Sequence, residues 1–419
     1  MKLKFSLLAG IAALGFASSA HAQTVINITG ATAFRAAMNN TILSLLSDGG
    51  ATTVKYCYVA SSTSTGSFEA SNRVIAEGTI GGQPYIIRTN QNGSTQGIAS
   101  VATQTTPPNF SYLSVAGTAD DRIAGGKHLT AASVDAGGSG KVEAGVIGRF
   151  AFSDVSQEIS NNPTPALPGE GVGVVPFVFV ANLGAPAGLV NMTDQLHEAQ
   201  WSLGQLPLSM YTGNPADTKL VLNTGRNNGS GTRATILAET QYGPFRSVVQ
   251  WGGPNSTANV GGGEGSGTVN WLQNLGNNGY SSNSFVRQNL ARTSTNVTVG
   301  TDGSGNGGTA AQDVVIISYL TLSDAAAVTT ITGGAGVGAK ALTYNGVSYS
   351  EANVKNGAYS LWGYQQFYGS VDITTAEQTF FDAFKVAIQP NLNPLSTGIR
   401  TSEMNVTRSG GDGGIITPN

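Results

Sequence analysis

The chain has 419 residues, with 21 Lys and Arg against 24 Asp and Glu, and only 11% of it is charged, against an ordinary figure of about 25%. This acidic balance argues against electrostatic binding of nucleic acid. The single cysteine, Cys57, excludes an intramolecular disulfide framework and a multi-cysteine metal site.

Residues 1–22 read as an export signal: Lys2 and Lys4 precede the apolar run Phe5 to Phe16, and Ala20-His21-Ala22 fits an A-x-A cleavage site. Cleavage would leave a chain starting at Gln23, in which 19 basic residues face 24 acidic ones, a formal charge of −5. The cut is followed directly by Gln23 and not by a cysteine that could take a lipid, and no later run approaches about 18 consecutive apolar residues. A soluble periplasmic or secreted protein is expected. The two remaining histidines, His128 and His197, are too far apart in the chain to suggest a His-rich metal site.

Helical and extended patterns alternate along the rest of the chain, which points to an α/β protein. A strand at Val25 to Ile28 passes through Thr29-Gly30-Ala31-Thr32 into a helix carrying Phe34, Ala37, Met38, Ile42, Leu45 and Leu46 at helical spacing. Val54 to Val59 and Tyr85 to Thr89 read as strands, the second leading to Asn92-Gly93-Ser94-Thr95 and a helix from about Gln96. Thr105 to Gly145, rich in Gly, Ser, Thr and Ala, reads as an inserted surface region. Val146 to Phe152 is a strand ending at Ser153-Asp154. Asn162 to Gly173 has the Pro and Gly content of a boundary between lobes, and Gly173 to Asn182 is apolar enough to be buried on both faces. Lys219 to Leu222 leads into Gly225 to Thr232 and a helix from Ala234 to Thr240. The stretches 252–267 and 300–308 are polar loops. Val314 to Leu320 is a buried strand, Thr375 to Ile388 an amphipathic helix, and 401–419 a flexible tail.

Four segments repeat one theme, a strand end followed by small hydroxyl residues and glycine: Gly30 to Ala33, Gly93 to Thr95, Ser153-Asp154, and Arg226 to Thr232. Backbone N–H groups at helix starts, with Ser and Thr hydroxyls beside them, suit a tetrahedral oxyanion. Arg226 would add a fixed charge and a two-pronged donor. Each segment taken alone is more often a plain helix cap.

In their order, these motifs resemble the periplasmic phosphate-binding proteins of bacterial ABC transporters. Gly30-Ala31-Thr32-Ala33-Phe34 is similar to the family's opening turn, Gly93-Ser94-Thr95-Gln96-Gly97-Ile98 to its second, and Phe152-Ser153-Asp154 to its A-S-D turn. Arg226-Asn227-Asn228-Gly229-Ser230-Gly231-Thr232 resembles its R-x-D-G-S-G-T signature. Trp251 with the glycine-rich 261–267, and Gly357 to Trp362, are lesser matches. The resemblance implies a two-lobed class II periplasmic binding protein fold with a hinge and a ligand cleft. The lobes would run 23–172 and 358–400 for the first and 173–357 for the second.

It further implies that Thr32, Ala33, Ser94, Asp154, Arg226, Asn228, Ser230, Gly231 and Thr232 line an anion site, Ala33 and Gly231 through backbone alone. The family sets two aspartates against the phosphate; here Asp154 keeps one position and Asn228 stands at the other. The ligand would be inorganic phosphate or a similar oxyanion and the partner an ABC permease. The resemblance brings no cofactor and no metal, and the protein is expected to be a monomer that binds without turnover. A secreted phosphatase and a surface or matrix protein that inherited the fold are the alternatives.

Other conspicuous residues have plainer readings. Cys57 is expected as a buried small hydrophobe, His128 as solvated, His197 on a surface helix, and Arg233 facing solvent. Tyr359, Trp362, Tyr364, Phe367 and Tyr368 are expected to pack a crossover between lobes. The Asp302 to Asp313 stretch lacks the final Glu of a calcium loop.

Overall fold

A computed structural model describes residues 23–59, 66–106, 111–253, 267–300, 308–333, 336–393 and 398–419. The export signal, most of the two glycine-rich loops and residues 302–307 of the Asp302 to Asp313 stretch lie outside them. Among the described residues no helix is long and apolar enough to cross a membrane.

The fold is mixed α/β, built on one 13-stranded sheet. Its first half contains β1 (Thr24–Gly30), β2 (Lys55–Val59), β3 (Arg73–Ile80), β4 (Gln83–Asn90) and β5 (Phe150–Ser153). The long β6 (Gly169–Ala181) leads to the second half, made of β7 (Gln205–Pro207), β8 (Leu220–Asn223) and β9 (Val314–Thr321), and β10 (Trp362–Gly369) leads back. The order across the sheet is β7-β8-β9-β6-β10-β5-β1-β4-β3-β2, with Ile123–Ala124 at the far edge. β6 joins the halves: Gly169 to Pro176 pair antiparallel with β10, and Phe177 to Ala181 pair with β9. Its run of Val and Phe fits this central place, where ten successive residues from Val172 are buried. β1 is parallel to both β4 and β5, so the three strands end at one edge. β3, which sequence periodicity does not reveal, pairs antiparallel with β4 and β2.

Helices α1 (Arg35–Leu46) and α2 (Ser94–Thr103) cover the first half, and α3 (Asp194–Leu203), α4 (Gly231–Glu239), α5 (Asn283–Leu290) and α6 (Leu322–Val328) the second. α7 (Thr375–Ala387) returns to the first half behind a Thr374–Glu377 capping box. Its buried Phe380, Phe381 and Phe384 stack against Phe150, Phe152 and Phe367, so the expected amphipathic face fills a real aromatic layer. Tyr359, Trp362 and Phe367 are fully buried at the crossover, and Tyr368 nearly so.

Several expectations are corrected. Thr105 to Gly145 is not only surface: Lys127–Leu129 pairs with β2, Ser111–Leu113 pairs with Val142–Ala144, and Leu113, Leu129 and Val134 close a core over Cys57 and Ile75. His128 is half-buried against Tyr58, with ring centroids 5.4 Å apart. His197 is fully buried, because the inner face of α3 packs it on Trp201 at 4.4 Å and beside Phe179.

The tail is also ordered, as strands β11 (Val406–Ser409) and β12 (Ile415–Pro418) paired in a hairpin. Arg408 holds it down: its guanidinium lies 4.3 Å over the Trp362 ring and 2.5 Å from Glu239, an ion pair outside hydrogen-bond angles, and it donates to Gly414 O at 3.0 Å. Asp412, at the tip, accepts from Ser156 N at 2.6 Å.

Candidate functional site

The site grows from the shared edge where β1 and β5 end. Gly30 leaves β1 with φ of 110°, and a Cβ there would sit 1.9 Å from Phe152 O. Only glycine lets β1 run this close to β5. Ala31 N then donates to Phe152 O at 2.8 Å and Gly93 N to Gly30 O at 2.9 Å, which sets the start of α2 beside the end of β5.

Asp154, immediately after β5, is 3% exposed. Its Oδ1 accepts from Ser94 at the first position of α2, and its Oδ2 accepts from Thr232 Oγ1 at 3.1 Å. Its backbone N–H donates to Ser94 Oγ at 3.3 Å and its carbonyl accepts from Thr235 at 2.5 Å. Thr95 Oγ1 donates to Gly229 O. The first turns of α2 and α4, one from each half, thus meet around one carboxylate, where helix dipoles favour negative charge. Gly231 is packed into this contact: a Cβ would lie 2.1 Å from Asp154 Oδ1 and 2.4 Å from Ser94 Oγ. Burial raises the Asp154 pKa above the ordinary carboxylate value, while Ser94, Thr232 and the Arg226 charge act to lower it.

Ser94, Asp154, Gly231 and Thr232 are therefore brought together, and the other expected residues take separate places. Ser230 caps α4, accepting from Arg233 N at 3.3 Å. Arg226 is buried within electrostatic reach of Asp154, but its guanidinium donates to Tyr280 O at 3.2 Å, Ser281 O at 3.0 Å and Asn283 Oδ1 at 2.8 Å. Arg233, expected in solvent, is 4% exposed and donates to Asn277 O at 2.8 Å and Arg226 O at 3.3 Å. It fixes the backbone that carries Arg226. Asn228 is exposed at the tip of a turn closed by Ser230 N to Asn227 O at 3.1 Å, so the position expected to mirror Asp154 lies outside the buried cluster.

Thr32 is exposed and Ala33 half-buried on an open groove of about 450 Å³ between the two halves. Arg35, Asn283, Arg287 and Asp324 also line it. Asp324 Oδ2 accepts from Asn283 Nδ2 at 2.7 Å and from Thr321 Oγ1 at 2.8 Å, and its Oδ1 lies 3.5 Å from Arg287. Sequence reading missed these residues, although Ser282-Asn283-Ser284 and Thr321-Leu322-Ser323-Asp324 repeat the theme of small polar residues at a helix start. Among the described residues no group of three or more His, Cys, Asp and Glu could hold a metal ion.

Helix starts from both halves of one α/β sheet thus meet on a single buried carboxylate. No family model matches the chain, and no curated protein sequence matches it. It is similar to solved phosphate-binding proteins. An ABC-type phosphate transport receptor from Vibrio cholerae is 11% identical over 86% of this chain and 93% of that one, with a TM-score of 0.40. A putative phosphate ABC transporter substrate-binding protein from Clostridium perfringens is 11% identical over 90% of this chain and 100% of that one, with a TM-score of 0.44. A phosphate-binding protein from Stenotrophomonas maltophilia is 13% identical over 94% of this chain and 87% of that one, with a TM-score of 0.35. At these identities and scores the similarity assigns no residue and no ligand.

Proposed function

We propose that the chain is an exported solute-binding protein that takes inorganic phosphate or a similar tetrahedral oxyanion between its two halves and presents it to an ABC permease. The observation that carries this reading is the meeting of Ser94, Thr232 and the starts of α2 and α4 on the buried Asp154, with Arg226 within electrostatic range. Such a place is rich in donors and holds one acceptor. A phosphate that keeps a proton satisfies it by exchange: its O–H donates to Asp154, and the Ser94 and Thr232 hydroxyls turn to the phosphate oxygens. Sulfate brings no proton, so the same turn would leave Asp154 without a donor, at a cost of about 1–3 kcal/mol or more for a charged group.

In this reading the Ser94 and Thr232 hydroxyls and the Asp154 carboxylate act as binding groups, without turnover. Isothermal titration of the chain from Gln23 with phosphate and sulfate tests the reading. Binding of phosphate in preference to sulfate, lost in Asp154→Ala, is expected. The hydroxyls already donate to Asp154, which favours one rival: a surface protein that keeps the cluster as a latch between halves. No phosphate binding at millimolar concentration would decide for that rival.

A further inference from the structure

We propose that the full ligand is a phosphate monoester of a small hydroxylated molecule, with its phosphoryl group at Asp154 and its hydroxylated body in the open groove between α1 and α5. This rests on the reading of the Asp154 cluster as an oxyanion site. The groove holds about 450 Å³, within the range of pockets that take whole small molecules, roughly 300–1,000 Å³, and far more than one oxyanion fills. A chain of side chains links it to the cluster: Arg226, within electrostatic reach of Asp154, donates to Asn283, which lines the groove and donates to Asp324.

The lining gives the chemistry of the occupant. Arg35, from the first half, and Arg287, from the second, supply donors to one space, and Asp324 is an acceptor within it. Glu69 stands where the groove continues outward past Thr32 and Arg35, so two guanidiniums balance two carboxylates. A balanced set of donors and acceptors suits hydroxyl groups, each of which gives one hydrogen bond and takes others; it offers no net charge for a second anionic group. The remaining lining is mostly Ser, Thr and Asn, with no aromatic side chain to stack on a base or ring. Arg35 Nη1 donates to Asn72, and its guanidinium has further N–H donors to offer a ligand hydroxyl.

The test is titration of the chain from Gln23 with inorganic phosphate, glycerol 3-phosphate and glucose 6-phosphate, repeated with Arg35→Gln and Arg287→Gln. The esters should bind and displace phosphate. Each substitution should weaken the esters about tenfold more than it weakens phosphate, as expected for loss of one hydrogen bond from a charged donor. Thermal melting of both variants verifies that they fold. Phosphate bound without either ester overturns this inference alone, as do esters whose affinity falls only in step with that of phosphate. Binding of none of the three overturns the oxyanion reading and this inference with it.

Discussion

Thr232, at the start of α4, donates its hydroxyl to Asp154 Oδ2 at 3.1 Å and so ties one half of the sheet to the end of β5 in the other. Seventy-eight positions separate the two residues, and the bond exists only because β6 and β10 bring the halves side by side. Thr232→Val removes the donor at nearly constant volume. Phosphate affinity is expected to fall about tenfold by titration, as for loss of a bond to a charged group of about 1.5–3 kcal/mol.

Gly231→Ala puts a methyl group into the contact between Asp154 and Ser94. Both neighbours are short, buried side chains, so the halves have to part. We expect destabilisation of about 1–3 kcal/mol, as for overpacking elsewhere, together with loss of phosphate binding. Urea unfolding and titration read the two effects separately.

Selectivity is expected to reside in Asp154 alone. Asp154→Asn should erase the preference for phosphate over sulfate, because an amide can donate to an oxygen that carries no proton. Asn228→Asp adds a charge at the exposed tip of a turn, where solvent screens it. It should move the ratio by less than about twofold. A larger shift in competition titrations would bring the tip of that turn back to the ligand.

Stability should fall with rising pH through the Glu239 carboxyl. Burial outweighs the Arg408 charge and pushes its pKa up to about 8, from an ordinary value near 4.5. A carboxyl whose pKa is higher in the folded state stabilises the fold below its unfolded value, and that contribution disappears as pH rises toward 8. Burial likewise pushes Asp412 up to about 6, which adds to the slope at its lower end. Glu239→Gln holds the side chain in a neutral form, as the protonated acid does, and should flatten the curve between about pH 5 and 8, with any difference from the parent growing as pH rises past 8. Urea midpoints across and above that range measure both.

His197 acts in the opposite direction. Among the described residues its ring nitrogens have no hydrogen-bond partner, and burial lowers its pKa to about 3, so the folded chain keeps it neutral while the unfolded chain takes a proton below about pH 6.5. Its contribution should therefore be lost as pH falls from about 6.5 toward 3. His197→Phe keeps a ring on Trp201 and should remove that part of the acid sensitivity, seen as a melting temperature that holds up better than the parent's below pH 6.

Local patterns along the chain account for the pieces: apolar runs that became β1, β2, β4, β6, β8 and β9, the aromatic face of α7, and small hydroxyl residues at the starts of α1, α2 and α4. These are properties of neighbouring residues, set by side-chain period, by the need for glycine where φ is positive, and by caps on unsatisfied N–H groups. β3 escaped because Glu77 and Gly78 interrupt its apolar run, and its stability comes from partners on both edges. Which donors reach which acceptor depends on how the sheet brings remote segments together. Ser94 and Thr232 meet at Asp154 from 60 and 78 positions away, Arg226 turns its donors to Tyr280, Ser281 and Asn283 around the start of α5, and Arg408 turns an unpatterned tail into a packed hairpin. The strand order of the sheet fixes those distances, and no local pattern encodes it, because hydrogen bonds between remote residues depend on where the elements end in space and not on their separation along the chain.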